Sequence, residues 1–102
     1  MSTLVPIKHL VEHEIRGERR WTGRAELARV MRLEVVVLMV EGQLMAVRNR
    51  CPHRDVPILN GRLDPAGFIE CPSHGWELKL TGEELQGHPV VECDEGFCLV
   101  LD

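Results

Sequence analysis

Two cysteines and two histidines stand in two short boxes whose spacing suits a metal site. The first box is C-P-H at 51–53, the second is C-P-S-H-G at 71–75, and seventeen residues lie between them. The candidate ligands are Cys51, His53, Cys71 and His74. One or two intervening residues let a tight turn direct both side chains of a box at one point. Each box holds one thiolate and one imidazole, which favours a two-iron cluster with two sulfur ligands on one iron and two nitrogen ligands on the other.

The residues around the two boxes extend this pattern beyond the ligands. They are Pro57, Leu59, Gly61, Trp76, Thr81, Gly82 and Pro89. With these neighbours, the chain from about residue 33 to its end resembles the soluble ferredoxins of the Rieske iron–sulfur family.

This resemblance implies a fold and a cofactor. We expect an all-β Rieske fold, a small antiparallel β-sandwich or barrel with a cluster-binding subdomain of two loops at about residues 49–80. The cofactor is a Rieske-type 2Fe–2S cluster held by the four candidate ligands, with iron on the histidine Nδ1 atoms. The Nε2 edges are then the expected exit for electrons at the surface.

The ligand set and its neighbours predict a reduction potential in the lower part of the Rieske range. A cluster with two thiolates and two neutral imidazoles is neutral when oxidised, so an electron meets less repulsion than in a four-cysteine cluster. High-potential members of the family carry an extra cysteine in each box, plus a serine and a tyrosine that hydrogen-bond the cluster. This chain has Trp76 where that serine would follow and no tyrosine, so it resembles the low-potential branch.

Two other uses of the candidate ligands compete with the cluster. Two cysteines and two histidines could hold a tetrahedral structural zinc, although zinc boxes usually pair like with like. Cys51 and Cys71 could instead form a disulfide, which the absence of a secretion signal disfavours.

Composition predicts one small domain spanning residues 1–102. Aromatic residues make up 4% of the chain, so aliphatic side chains must fill the core. Residues 1–20 lack the apolar stretch of a signal peptide, and the longest apolar run, Val35–Val40, is too short to cross a bilayer and is typical of a buried strand. We therefore expect a cytoplasmic monomer without a membrane anchor.

Charge is divided unequally along the chain. Residues 1–62 hold eleven basic and seven acidic side chains, whereas 63–102 hold one basic and nine acidic, and the formal net charge is −4. Nucleic-acid binding is not expected from this balance. Most of these charges solvate the surface, but two sets could steer redox partners. The acidic set is Glu77, Glu83, Glu84, Glu92, Asp94 and Glu95, and the basic set is Arg48, Arg50, Arg54 and Arg62.

Alternating and β-branched segments predict strands separated by turns. The predicted strands are Leu4–Lys8, Leu33–Val40, Leu44–Arg48, Phe68–Cys71, Trp76–Leu80, Val90–Asp94 and Phe97–Leu101. Residues Ala25–Met31 prefer helix by composition, whereas the resemblance places a strand there, and we follow the resemblance.

The second cysteine pair, Cys93 and Cys98, is not expected to bind the cluster. If Glu95-Gly96 is a two-residue turn, Cys93 faces Cys98 and the two could form a disulfide. The alternative is that both are small apolar fillers on a half-buried hairpin, which is the commoner use of such cysteines.

The other histidines and Trp76 carry weaker signals. His9 and His13 lie four residues apart, but no third ligand is near, so a solvated pair is the better interpretation. His88 precedes Pro89, where the resemblance places a loop over the cluster. Trp76 could conduct electrons, although packing beneath the cluster arm is the commoner role.

These patterns together predict a one-electron carrier that does not turn over a substrate alone. The resemblance implies the ferredoxin component that passes electrons from a flavin reductase to a terminal oxygenase. The alternatives are a small Rieske-like subunit of an assimilatory nitrite reductase, a zinc-stabilised interaction module, and a redox sensor or accessory carrier. Outside the boxes no nucleophile–base pair or nucleotide-binding glycine loop is apparent.

Overall fold

A computed structural model describes most of the chain. The described residues are 3–28, 31–51, 56–73, 75–82, 85–93 and 96–101, without the side chains of 27, 28, 31 and 32. Its strands are β1 (Thr3–Ile15), β2 (Glu18–Ala28), β3 (Met31–Val40), β4 (Gln43–Arg48), β5 (Leu63–Asp64), β6 (Phe68–Glu70), β7 (Glu77–Lys79), β8 (His88–Cys93) and β9 (Gly96–Leu101). The described residues form no helix, and so none that could cross a membrane.

Six strands form a closed antiparallel barrel in the order β1-β2-β3-β4-β8-β9, and β1 closes it by pairing with β9. The remaining three form a separate small sheet in the order β5-β6-β7. The chain leaves the barrel after β4 and returns at β8, which pairs with β4. Both metal boxes and the small sheet lie on this excursion. The all-β prediction, with a barrel and a second unit carrying the boxes, is confirmed.

The N-terminal hairpin is longer than the sequence predicted. We expected a strand only at Leu4–Lys8, but β1 runs for 13 residues and turns into β2 through Arg16 and Gly17. Both turn residues have positive φ, 54° and 79°, as a tight two-residue hairpin requires. The helical preference of Ala25–Met31 is overridden at residues 25–28, because β2 pairs with strands on both sides, and residues 29 and 30 lie outside the described residues.

The apolar run on β3 is buried on both faces from Val35 to Leu38, as predicted, whereas Met39 is 46% exposed. Val35 and Val37 point into the barrel, where they pack with Ile7 and Leu99. Val36 and Leu38 point to the opposite face and pack against residues of the small sheet and the loops that carry the boxes. Strand β3 therefore serves two cores, which explains why its sequence does not alternate with polar residues.

The C-terminal hairpin has a different register from the predicted one. We expected Cys93 opposite Cys98, but Cys93 pairs with Gly96, and Cys98 pairs with Val91. The prediction was wrong because it placed the turn at Glu95-Gly96, whereas Gly96 already belongs to β9. The two cysteines therefore sit diagonally across the hairpin and form a disulfide with a Cα–Cα separation of 6.2 Å. The alternative that they are unbridged fillers is wrong.

Candidate metal centre

The two candidate cysteine ligands lie in one buried region, although twenty positions separate them in the chain. Cys51 comes shortly after β4, and Cys71 directly follows β6. Their exposed fractions are 0% and 1%, and both belong to the core that joins the barrel to the small sheet. Neither is disulfide-bonded, so the predicted Cys51–Cys71 bridge alternative is wrong.

Matching backbone hydrogen bonds close the two cysteine loops. The Cys51 amide donates to the carbonyl of Val56 over 2.7 Å, and the Cys71 amide donates to the carbonyl of Trp76 over 2.7 Å. In each case the cysteine is bonded to the residue five positions later. The second loop has a further bond of 2.9 Å from the Gly75 amide to the Cys71 carbonyl, and Gly75 has a φ of 75°. Two thiols are thus presented from two loops of equal length.

The two candidate histidine ligands lie outside the described residues. His53 is within 52–55 and His74 is a single position, so the structure places neither imidazole. Within the described part of the chain, no three His, Cys, Asp or Glu side chains are grouped to hold a metal. The structure therefore places the two thiolate candidates in one buried core and leaves the complete ligand set as a prediction.

Asn49 fixes the segment that follows the first cysteine loop. Its side-chain Oδ1 accepts hydrogen bonds from the amides of Ile58, at 3.0 Å, and Leu59, at 3.1 Å. The backbone N–H of Asn49 donates to the Glu34 carbonyl on β3 over 2.9 Å. Two amide donors on one atom identify that atom as the oxygen. Asn49 therefore ties the loop to the barrel edge two residues before Cys51.

Arg20 holds the same segment from the other side. From β2 its Nη1 donates to the carbonyls of Leu59, at 2.6 Å, and Gly61, at 2.7 Å. The neighbouring Arg16 donates through Nε to the Asn60 carbonyl over 3.2 Å. Sequence reasoning assigned no role to Asn49 or Arg20. The position of Asn49 beside the first box was a usable signal, whereas nothing in the spacing of β2 marks Arg20.

Gly61 allows the segment to approach the small sheet closely. A side-chain Cβ at this position would lie 2.9 Å from Ile69 Cγ1 and closer still to the Glu70 carbonyl oxygen. The adjacent Arg62 carbonyl accepts a hydrogen bond of 2.9 Å from the Glu70 amide. This contact brings the segment that follows the first cysteine loop against the residues that lead into Cys71. Only glycine fits there without displacement.

The structure also places Trp76 and the histidines outside the two boxes, and the position of Trp76 differs from the expected one. Trp76 is 51% exposed, so the prediction that it packs beneath the cluster arm is wrong. His9 lies on β1, in the irregular stretch of the β1–β2 ladder, with a φ of 59°. His13 lies 2.9 Å from the Thr22 hydroxyl through Nε2. His88 is half-buried at the start of β8, opposite Ala46.

Charges of opposite sign flank the two cysteine loops. Glu70 and Glu77 pair across β6 and β7 and, with Asp64 and Arg62, line a surface cavity of about 300 Å³ beside the second loop, so three acidic side chains and one basic side chain face it. Arg24, Arg48 and Arg50 line another cavity of about 370 Å³ beside the first loop, together with Glu34, which lies 3.9 Å from Arg24. Of the residues predicted to steer partners, Arg54, Glu83, Glu84, Asp94 and Glu95 lie outside the described residues.

Two buried thiols on similarly closed loops of an all-β scaffold are half of a four-ligand set and are compatible with the sulfur ligands of an iron–sulfur centre. The family model of the Rieske [2Fe-2S] domain matches residues 11–95. The chain belongs to this family.

Curated relatives include one ferredoxin and several oxygenases. The ferredoxin component of the alkene monooxygenase system of Xanthobacter autotrophicus is 30% identical over 80% of this chain and 66% of that protein. Pheophorbide a oxygenase of Oryza sativa subsp. japonica is 42% identical over 40% of this chain and 8% of that protein. The 4beta-methylsterol monooxygenase of Methylococcus capsulatus is 38% identical over 46% and 12%. The chain spans less than two thirds of each. No solved structure matches it significantly.

A domain of this family carries a Rieske-type 2Fe–2S cluster, and the zinc alternative is therefore wrong. The described residues fit the cluster, because two buried thiols without a disulfide are the sulfur half of its ligand set. When bound, the cluster takes up and releases one electron at a time. The domain is accordingly an electron carrier and not a catalyst.

Proposed function

We propose that Cys51, His53, Cys71 and His74 hold the 2Fe–2S cluster. The matched closure of the two cysteine loops and the burial of both thiols support this ligand set. The His53 and His74 assignments rest on the box pattern and on the family, whose clusters bind one iron through two histidines. The histidine edges are the proposed exit for the electron.

The chain as a whole is then a soluble ferredoxin that passes electrons from a flavin reductase to a terminal oxygenase. The observation that carries this proposal is the similarity to a monooxygenase ferredoxin component, which extends over 80% of the chain. A single domain of residues 1–102, with the cluster arm at about 49–80, a monomeric state and a cytoplasmic location complete the proposal.

The cysteine inventory supports a low potential. The chain has four cysteines, of which two are the proposed ligands and two form the Cys93–Cys98 disulfide on the C-terminal hairpin. None remains for the bridge between the two boxes that high-potential relatives carry. We therefore expect a midpoint potential toward the ~−150 mV end of the Rieske range.

The charged surfaces beside the two loops support steering of two different partners. The acidic side chains beside the second loop would attract a basic partner, and the arginines beside the first would attract an acidic one. Such steering acts mainly on the association rate and weakens as salt is raised.

The test is spectroscopic and uses the intact chain purified without oxygen. Wild type should be coloured, contain two irons per chain and, when reduced, give an electron paramagnetic resonance (EPR) signal with a lower average g value than four-cysteine clusters give. C51S and C71S should each lose the signal. A colourless wild type with one zinc would overturn the proposal.

The oxygenase role is tested in a reconstituted alkene monooxygenase system in which this chain replaces the ferredoxin component. Alkene turnover that depends on the chain and is lost with C51S supports the role. A coloured chain that accepts electrons from the reductase but supports no turnover would point to a different terminal enzyme.

A further inference from the structure

Side chains from β2 and from just after β4 hold the segment 58–61 to the barrel. Its two amides at Ile58 and Leu59 donate to Asn49, and its two carbonyls at Leu59 and Gly61 accept from Arg20. Ile58 is fully buried in the same core as Cys51 and Cys71. The segment therefore contributes a buried side chain to the core that contains both thiols.

Arg20 is an unusual group to find at this point. Its exposed fraction is 0%, the lowest of any charged residue in the described part of the chain. The Glu18 carboxylate lies 3.5 Å from Nη2, an ion-pair distance too long for a good hydrogen bond, and Glu18 itself is half exposed. Within the described residues, Nε and Nη2 have no hydrogen-bond partner.

Burial of this cation is costly. Loss of solvation lowers the pKa of Arg20 from its usual value, and the nearby Glu18 carboxylate only partly opposes that shift. An apolar side chain of similar volume is often neutral or stabilising at a buried charged position. Stability alone therefore gives a weak reason to place an arginine here.

We propose that Arg20 is a positioning residue for the cluster, which fixes the 58–61 segment through two carbonyls and supplies a permanent positive charge beside that segment. Gain of an electron would make a bound cluster more negative, so a fixed cation near it would favour the reduced form. This inference rests on the ligand set proposed above.

Four pairs of matched variants of the holoprotein test the proposal through the midpoint potential. Arg19 is the control for Arg20, because it is the adjacent residue and its side chain is 74% exposed. Glu14 is the control for Glu18, because it is an exposed carboxylate on the same hairpin. The pairs are R20M with R19M, R20K with R19K, E18Q with E14Q, and R20M/E18Q with R19M/E14Q.

R20M should shift the midpoint potential to more negative values, and E18Q should shift it to more positive values, because the first removes the cation and the second removes its counter-charge. R20K should keep the wild-type potential but change the EPR g values, since a flexible ammonium does not reproduce the guanidinium clamp. The double variant should lie between R20M and E18Q, because it removes both the cation and its counter-charge. All control variants should match wild type.

The proposal is overturned if R20M and E18Q both keep the wild-type potential, even when R20M unfolds at a lower temperature. If R20M fails to fold, E18Q decides, because it keeps the buried guanidinium, and a wild-type potential in E18Q then overturns the proposal. A wrong ligand assignment is detected separately, because C51S or C71S would keep the cluster signal if that cysteine were not a ligand.

Discussion

Replacing Asn49 with alanine should make the segment that follows the first cysteine loop open more often, by a factor that can be worked out from its hydrogen bonds. The change removes the acceptor for two amides, those of Ile58 and Leu59, which lie 3.0 and 3.1 Å from Oδ1. A typical hydrogen bond contributes about 0.5–1.5 kcal/mol net, so the two together contribute about 1–3 kcal/mol. At 1.4 kcal/mol per factor of ten, local opening should become about 5- to 150-fold more frequent.

Hydrogen–deuterium exchange of the holoprotein measures this opening directly. In N49A a peptide covering residues 56–61 should exchange faster, while peptides from the barrel strands β2 and β3 keep their wild-type rates. N49D should stay close to wild type, because a carboxylate can accept both amide hydrogen bonds. N60A is the matched control, since Asn60 is exposed and uses only its backbone carbonyl, which accepts from Arg16.

The rate of cluster loss is a second measurement on N49A. The anaerobic holoprotein is mixed with an iron chelator, and the visible absorbance is followed. N49A should bleach faster than N60A and N49D. If N49A shows wild-type exchange at 56–61 and wild-type bleaching, Asn49 does not hold the loop and the argument from its hydrogen bonds is refuted.

Three further predictions address other parts of the molecule. C93S/C98S should keep the visible and EPR spectra while losing about 2 kcal/mol of stability for so short a disulfide loop, and loss of the cluster would contradict the ligand assignment. G61A should lose about 1–3 kcal/mol through overpacking against the small sheet, seen as a lower melting temperature, and an unchanged melting temperature would show that the contact relaxes freely. E70Q/E77Q should speed oxidation of the reduced protein by ferricyanide, an anion, and the effect should vanish at high salt; equal rates at low salt would remove the steering proposal.

The strands that the sequence predicted well are those whose burial is set by their near neighbours. The hairpin of β3 and β4 was predicted because a continuous Val run and a Glu41-Gly42 turn are local signals, and both turn residues have positive φ. The length of β1 and β2 was missed because their residues are mostly polar on the outer face. They are strands because each pairs on both sides within a closed barrel, which no local pattern reports.

The register of the C-terminal hairpin was predicted wrongly because Gly96 was assigned to the turn. Glu95-Gly96 resembles a two-residue turn, yet Gly96 pairs with Cys93 at the start of β9. The shift moves Cys98 from a position opposite Cys93 to one opposite Val91. A disulfide still forms, because a diagonal pair on the same face of a hairpin lies within the Cα–Cα range that a disulfide spans.

The residues that hold the centre in place were harder to predict than those proposed to bind it. Ligands must be cysteine or histidine, so their type and spacing are visible in the sequence. Arg20 contacts carbonyls 39 and 41 positions away, and a carbonyl carries no side-chain signature. Any residue type can supply the acceptor, so the pairing becomes visible only when the barrel brings β2 beside the loop.

The two boxes differ in spacing, yet the loops that carry them do not differ in length. The candidate histidine stands two positions after Cys51 in one box and three positions after Cys71 in the other. Both cysteine amides nevertheless bond to the carbonyl five positions later, over the same 2.7 Å. The two backbone closures are therefore alike although the cysteine–histidine spacings differ. It follows that inserting one residue between Cys71 and Trp76 should disrupt the centre more than exchanging Ser73, which is exposed within the closed loop.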